Sequence, residues 1–193
     1  MTEIVMFHHV LGRTAALEQI AERLRDAGHL VHVPDLFDGR TFDSIDEGIA
    51  FAESIDNDAL LGTATAEVQS LPNDIVYLGF SLGSAFAQYL VQNREGARGG
   101  IFMYGCVAPD VFGDWPDDVP VHIHAMEDDP FFVEDADAAK ALDAAHEKVS
   151  LFLYPGSGHL FLERDHDDYD SDAAELALSR IDSFLTSLEI EAY

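Results

Sequence analysis

Three separated stretches of the chain carry side chains that could act as nucleophile, orienting acid and base. Gly79-Phe80-Ser81-Leu82-Gly83 holds a serine between glycines, directly after the apolar run DIVYLGF (74–80) and directly before a helical pattern. Glu127-Asp128-Asp129-Pro130 follows the run PVHIHAM (120–126), and Pro155-Gly156-Ser157-Gly158-His159 follows KVSLFLY (148–154). A serine hydroxyl is a poor nucleophile at neutral pH. It needs a base within hydrogen-bond reach and a carboxylate to orient that base. Serine, acid and histidine in that chain order, each at the end of a strand-like run, are the parts needed for acyl transfer through an acyl-serine.

The glycines two before and two after Ser81 fit a tight strand-turn-helix, where side chains would collide with the neighbouring strand and helix. The Leu82 N–H, at the start of that helix, would then point at a developing oxyanion. The competing reading of Ser81 is a helix cap beside packing glycines, and Gly-x-Ser-x-Gly alone recurs by chance. The two further loops shift the balance to the nucleophile. Asp129 is placed ahead of Asp128 as the acid, with both open on spacing alone. His159 must be neutral to act as base, so activity is expected to fall on acidification.

Other histidines fit the base role less well: His8 and His9 end the first strand-like run, and His122 and His124 alternate within another. His122-x-His124 share a face and could pair on a metal. No further ligand cluster stands at suitable spacing, so they read as packing residues, and neither metal nor organic cofactor is expected. The acidic run DHDDYDSD (165–172) lacks the glycine and terminal glutamate of a calcium loop and reads as a solvated start to the last helix. Cys106, the single cysteine, lies in the apolar run IFMYGCVA and reads as a buried, inert thiol.

The elements that must position these residues alternate. Apolar runs at 3–9, 29–33, 74–80, 99–105, 120–126 and 148–154 are nearly continuous, as in strands buried on both faces of a parallel sheet. Between them, Leu17, Ile20, Ala21 and Leu24 follow helical spacing, with Gly28 where a C-terminal cap would sit. Ser44 and Glu47 form a capping-box signature ahead of Ile45, Ile49 and Ala52. Residues 82–93 and the alanine-rich 134–146 are helical in pattern. The last helix carries Asp172 and Glu175 at its start and then Ala177, Ile181, Phe184, Leu185 and Leu188 on one stripe. The expectation is a single α/β domain over residues 1–193, doubly wound, with a mostly parallel sheet of about six strands. Ligands in such sheets bind outside the carboxyl ends of the strands.

Thirty-seven Asp and Glu against ten Lys and Arg give a formal charge of -27, and the only lysines are Lys140 and Lys148, which argues against a nucleic-acid partner. The amino-terminal MTEIVMFHHV has no basic segment or cleavage site, and no apolar stretch is long enough to cross a bilayer. A cytoplasmic protein with no membrane partner is expected. So large a charge repels itself at low ionic strength, whereas at about 1 M salt a Debye length of roughly 3 Å screens it. Adaptation to a salt-rich interior is a second expectation.

With these pieces in place, the chain resembles the dienelactone hydrolase family of α/β-hydrolases over nearly its whole length. The similar pieces are HHVLGR, VPDLFDGR, GFSLGS, HAMEDDPFF and YPGSGHLF. The resemblance implies a compact sheet without a large lid domain, acting on small esters or lactones. It favours Asp129 as the acid, because an apolar pair follows in Pro130-Phe131-Phe132, and it implies Val10 as the second oxyanion donor. Name-giving members use a cysteine nucleophile where this chain has Ser81. A glutamate that activates their thiol would fall near His9. Their substrate-binding arginines are similar to Arg40 and Arg164, the latter displaced by one position with Glu163 intervening. His9, Arg40 and Arg164 are therefore the candidate substrate contacts. The bland reading of the two arginines is relief of an acidic surface. Ser81, Asp129 and His159 could equally serve a thioesterase or amidase, and a non-catalytic scaffold binding a small ligand is the alternative of a different class.

Overall fold

A computed structural model describes residues 1–191. Six strands, β1 (Glu3–Phe7), β2 (Leu30–His32), β3 (Val76–Phe80), β4 (Gly99–Met103), β5 (Val121–Met126) and β6 (Val149–Tyr154), form one sheet in the order β2-β1-β3-β4-β5-β6. Every neighbouring pair is parallel. Parallel neighbours need crossovers, built on α1 (Ala15–Asp26), α2 (Ile45–Glu53), α3 (Asn57–Val68), α4 (Leu82–Asn93) and α5 (Ala136–Ala145); β4 reaches β5 through a loop with one short 3-10 turn, Pro109–Val111, and α6 (Ser171–Glu191) follows β6. The central strands β3 and β4 are buried at every residue, because helices cover both faces of the sheet. This is the doubly wound sheet the alternation predicts, in the α/β-hydrolase-like form the resemblance implies, with six strands and, among the described residues, no large added domain.

The helices begin where their side chains can satisfy the free amide groups. The Thr14 hydroxyl accepts from the Leu17 N–H and the Ser44 hydroxyl from the Glu47 N–H. Helix α1 turns inward Leu17, Ile20, Ala21 and Leu24, and Gly28 follows it with φ +95°, where L side chains are strained. Helix α3 is one the periodic reading passes over. Its inward residues are Leu60, Ala64 and Val68, and the exposed positions between them include Gly62, Thr63 and Ala66. Small residues on both sides leave little contrast to read.

The chain passes from β1 outward to β2 and returns to place β3 on the other side of β1, with Phe7 beside Gly79. The strand order therefore reverses at β1, and the loops leaving the carboxyl ends of β1 and β3 diverge, opening a crevice between them. The loops leaving β5 and β6 emerge at the same edge, since all six strands run one way. Among the described residues no helix is long and apolar enough to cross a membrane.

Candidate active site

The Ser81 N–H donates to the Met103 carbonyl at 2.7 Å, extending the β3–β4 ladder one residue before the chain turns sharply into α4. Ser81 makes that turn with φ 51° and ψ -113°. For a residue with a side chain this conformation costs on the order of 1–3 kcal/mol and persists only where the surroundings enforce it. They do so by close approach. A Cβ at Gly79 would stand 2.1 Å from the Gly83 carbonyl oxygen, and a Cβ at Gly83 would stand 2.4 Å from that of Phe7. Behind the turn, the buried Ser84 hydroxyl lies 2.9 Å from both the Gly79 and Met103 carbonyls. The Ser81 hydroxyl makes no cap bond to α4, so the helix-cap reading fails.

The hydroxyl instead meets His159, with Oγ 2.8 Å from Nε2, while Nδ1 of the same ring stands 2.7 Å from Asp129 Oδ2. A carboxylate facing Nδ1 places the ring proton there and leaves the Nε2 lone pair toward the serine. The other Asp129 oxygen accepts the Phe131 N–H at 2.9 Å, which fixes the carboxylate. Asp129 and His159 are 1% and 4% exposed, so solvent does not loosen the pair. Asp128 is exposed and contributes its N–H to the Gly156 carbonyl, which leaves Asp129 as the residue that orients the ring.

Several supports of this chain are invisible in spacing. Phe131 and Tyr104 flank the His159 ring, with centroids at 4.8 and 5.4 Å. Tyr104 leaves β4 with φ 72°, and its hydroxyl accepts the Leu162 N–H at 3.3 Å. Burial, reinforced by the Glu163 carboxylate, holds the Tyr104 phenol well above its ordinary pKa, so it stays protonated. Asp168 braces the histidine loop: its carboxylate accepts the Leu160 N–H at 3.1 Å, and a Cβ at Gly158 would stand 2.5 Å from its carbonyl oxygen. Asp170 accepts the Ala173 N–H at 2.9 Å and so caps α6. The run 165–172 is thus partly structural, not only a solvated face. Cys106 is buried, and burial with the nearby Asp135 charge pushes its thiol up to about 12, as an inert thiol requires.

Two backbone donors stand at the crevice. Leu82 is the first residue of α4, whose N–H has no partner within the helix. The Val10 N–H, in the turn after β1, has no hydrogen-bond partner among the described residues. The two follow adjacent strands, β1 and β3, at the point where the strand order reverses.

The sequence pattern of the Dienelactone hydrolase family matches residues 1–188. The chain belongs to that family. Solved structures agree on the fold. A dienelactone hydrolase-like promiscuous phosphotriesterase from metagenomic libraries is 19% identical with a TM-score of 0.81, the match covering 97% of this chain and 87% of that one. A putative dienelactone hydrolase from Klebsiella pneumoniae is 15% identical, TM-score 0.72, covering 94% and 85%. Esterase 2 of Thermogutta terrifontis, solved with propionate bound, is 16% identical, TM-score 0.66, covering 97% and 83%. Comparison with curated protein sequences gives no match.

Against the dienelactone hydrolase pattern, the three candidate substrate contacts separate. His9 is fully buried, with Nδ1 accepting the Leu11 N–H at 3.2 Å and Nε2 against the Glu163 carboxylate. Both ring nitrogens are engaged inside the protein, so His9 is a structural residue and not a substrate contact. Arg40 is exposed, its guanidinium 5.1 Å from the Phe51 ring. Arg164 lies over Tyr169 and lines a cavity of about 470 Å³ with Arg23, Ser171 and Leu178; none of the residues lining it is Ser81, Asp129 or His159. The structure therefore does not bring Arg164 to the Ser81 chain, because Glu163 takes the inward position of that loop. His122 and His124 pack on the Phe152 ring, and His124 Nδ1 meets the Tyr154 hydroxyl at 2.8 Å. Burial lowers the pKa of both, His122 to about 4, and keeps them neutral.

Proposed function

We propose that this family member is a serine hydrolase that cleaves small carboxylic esters or lactones through an acyl-serine. The observation that carries the reading is the hydrogen-bonded chain Ser81–His159–Asp129 on a strained strand-to-helix turn. His159 Nε2 takes the Ser81 proton as Oγ attacks the carbonyl carbon, and the Asp129 carboxylate stabilises the imidazolium that forms. The tetrahedral oxyanion is held by the Leu82 and Val10 N–H groups. Collapse breaks the bond to the leaving oxygen, which takes the proton from His159 and departs as the alcohol. In a lactone that alcohol stays tethered to the acyl group. Water then gives a proton to His159 as it attacks the acyl carbon, and the acid is released with Ser81 restored. Every group in these steps belongs to this chain, to the ester or lactone, or to the water that hydrolyses the acyl-serine.

Labelling by a fluorophosphonate, which phosphonylates activated serines, tests the reading. Wild-type protein is expected to label and to hydrolyse p-nitrophenyl acetate, and Ser81→Ala to do neither. An unlabelled wild type, or equal labelling of Ser81→Ala, would overturn it.

A further inference from the structure

His8 and His9 are both fully buried, beside a turn whose Val10 N–H has no hydrogen-bond partner among the described residues. A backbone donor is aimed by the peptide planes on either side of it. In a trans peptide the carbonyl of one residue and the N–H of the next point in opposite directions, so holding one fixes the other. The plane before Val10 ends in the His9 carbonyl, which accepts from His8 Nδ1 at 2.7 Å and from the Gly12 N–H at 3.1 Å. The plane after Val10 carries the Leu11 N–H, which donates to His9 Nδ1 at 3.2 Å. Each flanking plane is thus held by one buried imidazole.

The rings are themselves oriented from behind. His8 Nε2 accepts the Leu36 N–H at 3.0 Å, from the loop that follows β2. His9 Nε2 meets Glu163, 3% exposed, on the loop that carries His159. These partners demand opposite tautomers: His8 protonated on Nδ1, His9 on Nε2. A buried acid beside a buried histidine is costly to desolvate, and an apolar pair of the same volume would stabilise the fold as well or better. What an apolar pair could not do is hold two peptide planes at chosen angles.

We propose that His8 and His9, with Glu163 behind His9, are positioning residues that aim the Val10 N–H at the oxyanion. The proposal rests on the serine-hydrolase reading above, in which Val10 supplies one of the two donors. Transition-state charge is what such a donor stabilises, so its misalignment lowers kcat and leaves KM nearly unchanged.

The test compares isosteres. Asparagine at position 8 can place an amide N–H where Nδ1–H stands; leucine cannot. Asparagine at position 9 can place a carbonyl oxygen where Nδ1 accepts; leucine again cannot. With p-nitrophenyl acetate, His8→Leu and His9→Leu are expected to lose about 10- to 100-fold in kcat with KM within about 3-fold, a fraction of the loss on deleting a donor outright. His8→Asn and His9→Asn are expected to recover most of it. Circular dichroism and burst titration give the folded, active fraction, against which kcat is normalised. Should either leucine variant fail to fold, Glu163→Gln carries the test, with a smaller loss confined to kcat. An active wild type whose folded leucine variants, or folded Glu163→Gln where those fail, keep full kcat would overturn this proposal alone. An inactive, unlabelled wild type would instead overturn the reading on which it rests.

Discussion

Two pairs of histidines, one at the edge of the sheet and one within it, do opposite work. His8 and His9 sit just past the carboxyl end of β1; three of their four ring nitrogens are hydrogen-bonded to backbone groups, and the fourth, His9 Nε2, lies against the Glu163 carboxylate as a charge contact outside hydrogen-bond geometry. His122 and His124 sit within β5 and pack against Phe152, with His122 Nδ1 and His124 Nε2 buried and unpartnered among the described residues. Residue type is the same in the two pairs, and three of the four rings, all but that of His122, are fully buried. Strand position differs: inside a strand the backbone bonds are already spent on neighbouring strands, so an imidazole there finds mainly side chains. At the carboxyl end the ladder stops, free amides and carbonyls appear, and the same ring becomes a bracket for the loop.

The sharpest way to break this contrast is at the third histidine of the carboxyl edge. His159→Ala is expected to lower kcat for p-nitrophenyl acetate by about 10⁴-fold or more with little change in melting temperature. A loss under tenfold would remove the distinction between edge and mid-strand. Asp129→Asn, which reverses the tautomer preference of His159, is expected to cost about 10³- to 10⁴-fold by the same assay. In the mid-strand pair, His122→Phe is expected to leave kcat within about twofold.

That last variant should act on stability instead, through pH. Burial lowers the His122 pKa from the ordinary 6.5 to about 4, so between these values the unfolded chain binds a proton that the folded chain refuses. Stability therefore falls as pH drops from 6.5 toward 4, and this loss is complete below about 4. For a half-buried ring the contribution is about 1–2 kcal/mol after screening. His8, also lowered to about 4 by burial, acts in the same direction. Urea titrations across this window are expected to show a shallower acid loss for His122→Phe than for wild type. The smallest effect should be indifferent to strand position: with a formal charge of -27, melting temperature is expected to rise by a few degrees from low to molar KCl in wild type and in both sets of variants alike. A flat curve would remove salt adaptation as an explanation of the composition.

Much of this arrangement can be read from the chain. The six strands announce themselves because burial on both faces demands unbroken apolar runs, Ser81 because it follows such a run directly, and His159 because a short glycine-rich loop carries it from the end of another. What cannot be read depends on register and backbone angle. Arg164 and Glu163 differ by one place in a loop, and only the folded loop shows that the acid turns inward. Tyr104 is one more apolar residue in IFMYG until its positive φ swings it beside His159. Helix α3 lacks the contrast that periodicity requires, and Asp168 is one of several identical charges until its carboxylate is seen on the Leu160 N–H. The pairing of His8 with the His9 carbonyl needs the turn itself, since adjacent histidines carry no signature of it.

The contact of Gly158 with the Asp168 carbonyl has a bearing on how such an enzyme could be remodelled. It ties His159 to the approach to α6, so adding or removing residues between 158 and 168 would move that ring. Within that span, exposed positions such as Arg164, Asp165 and Asp167 can change identity but the loop cannot change length. New substrate preferences should therefore arise by insertion elsewhere, as in the connection at 107–119, which does not carry His159.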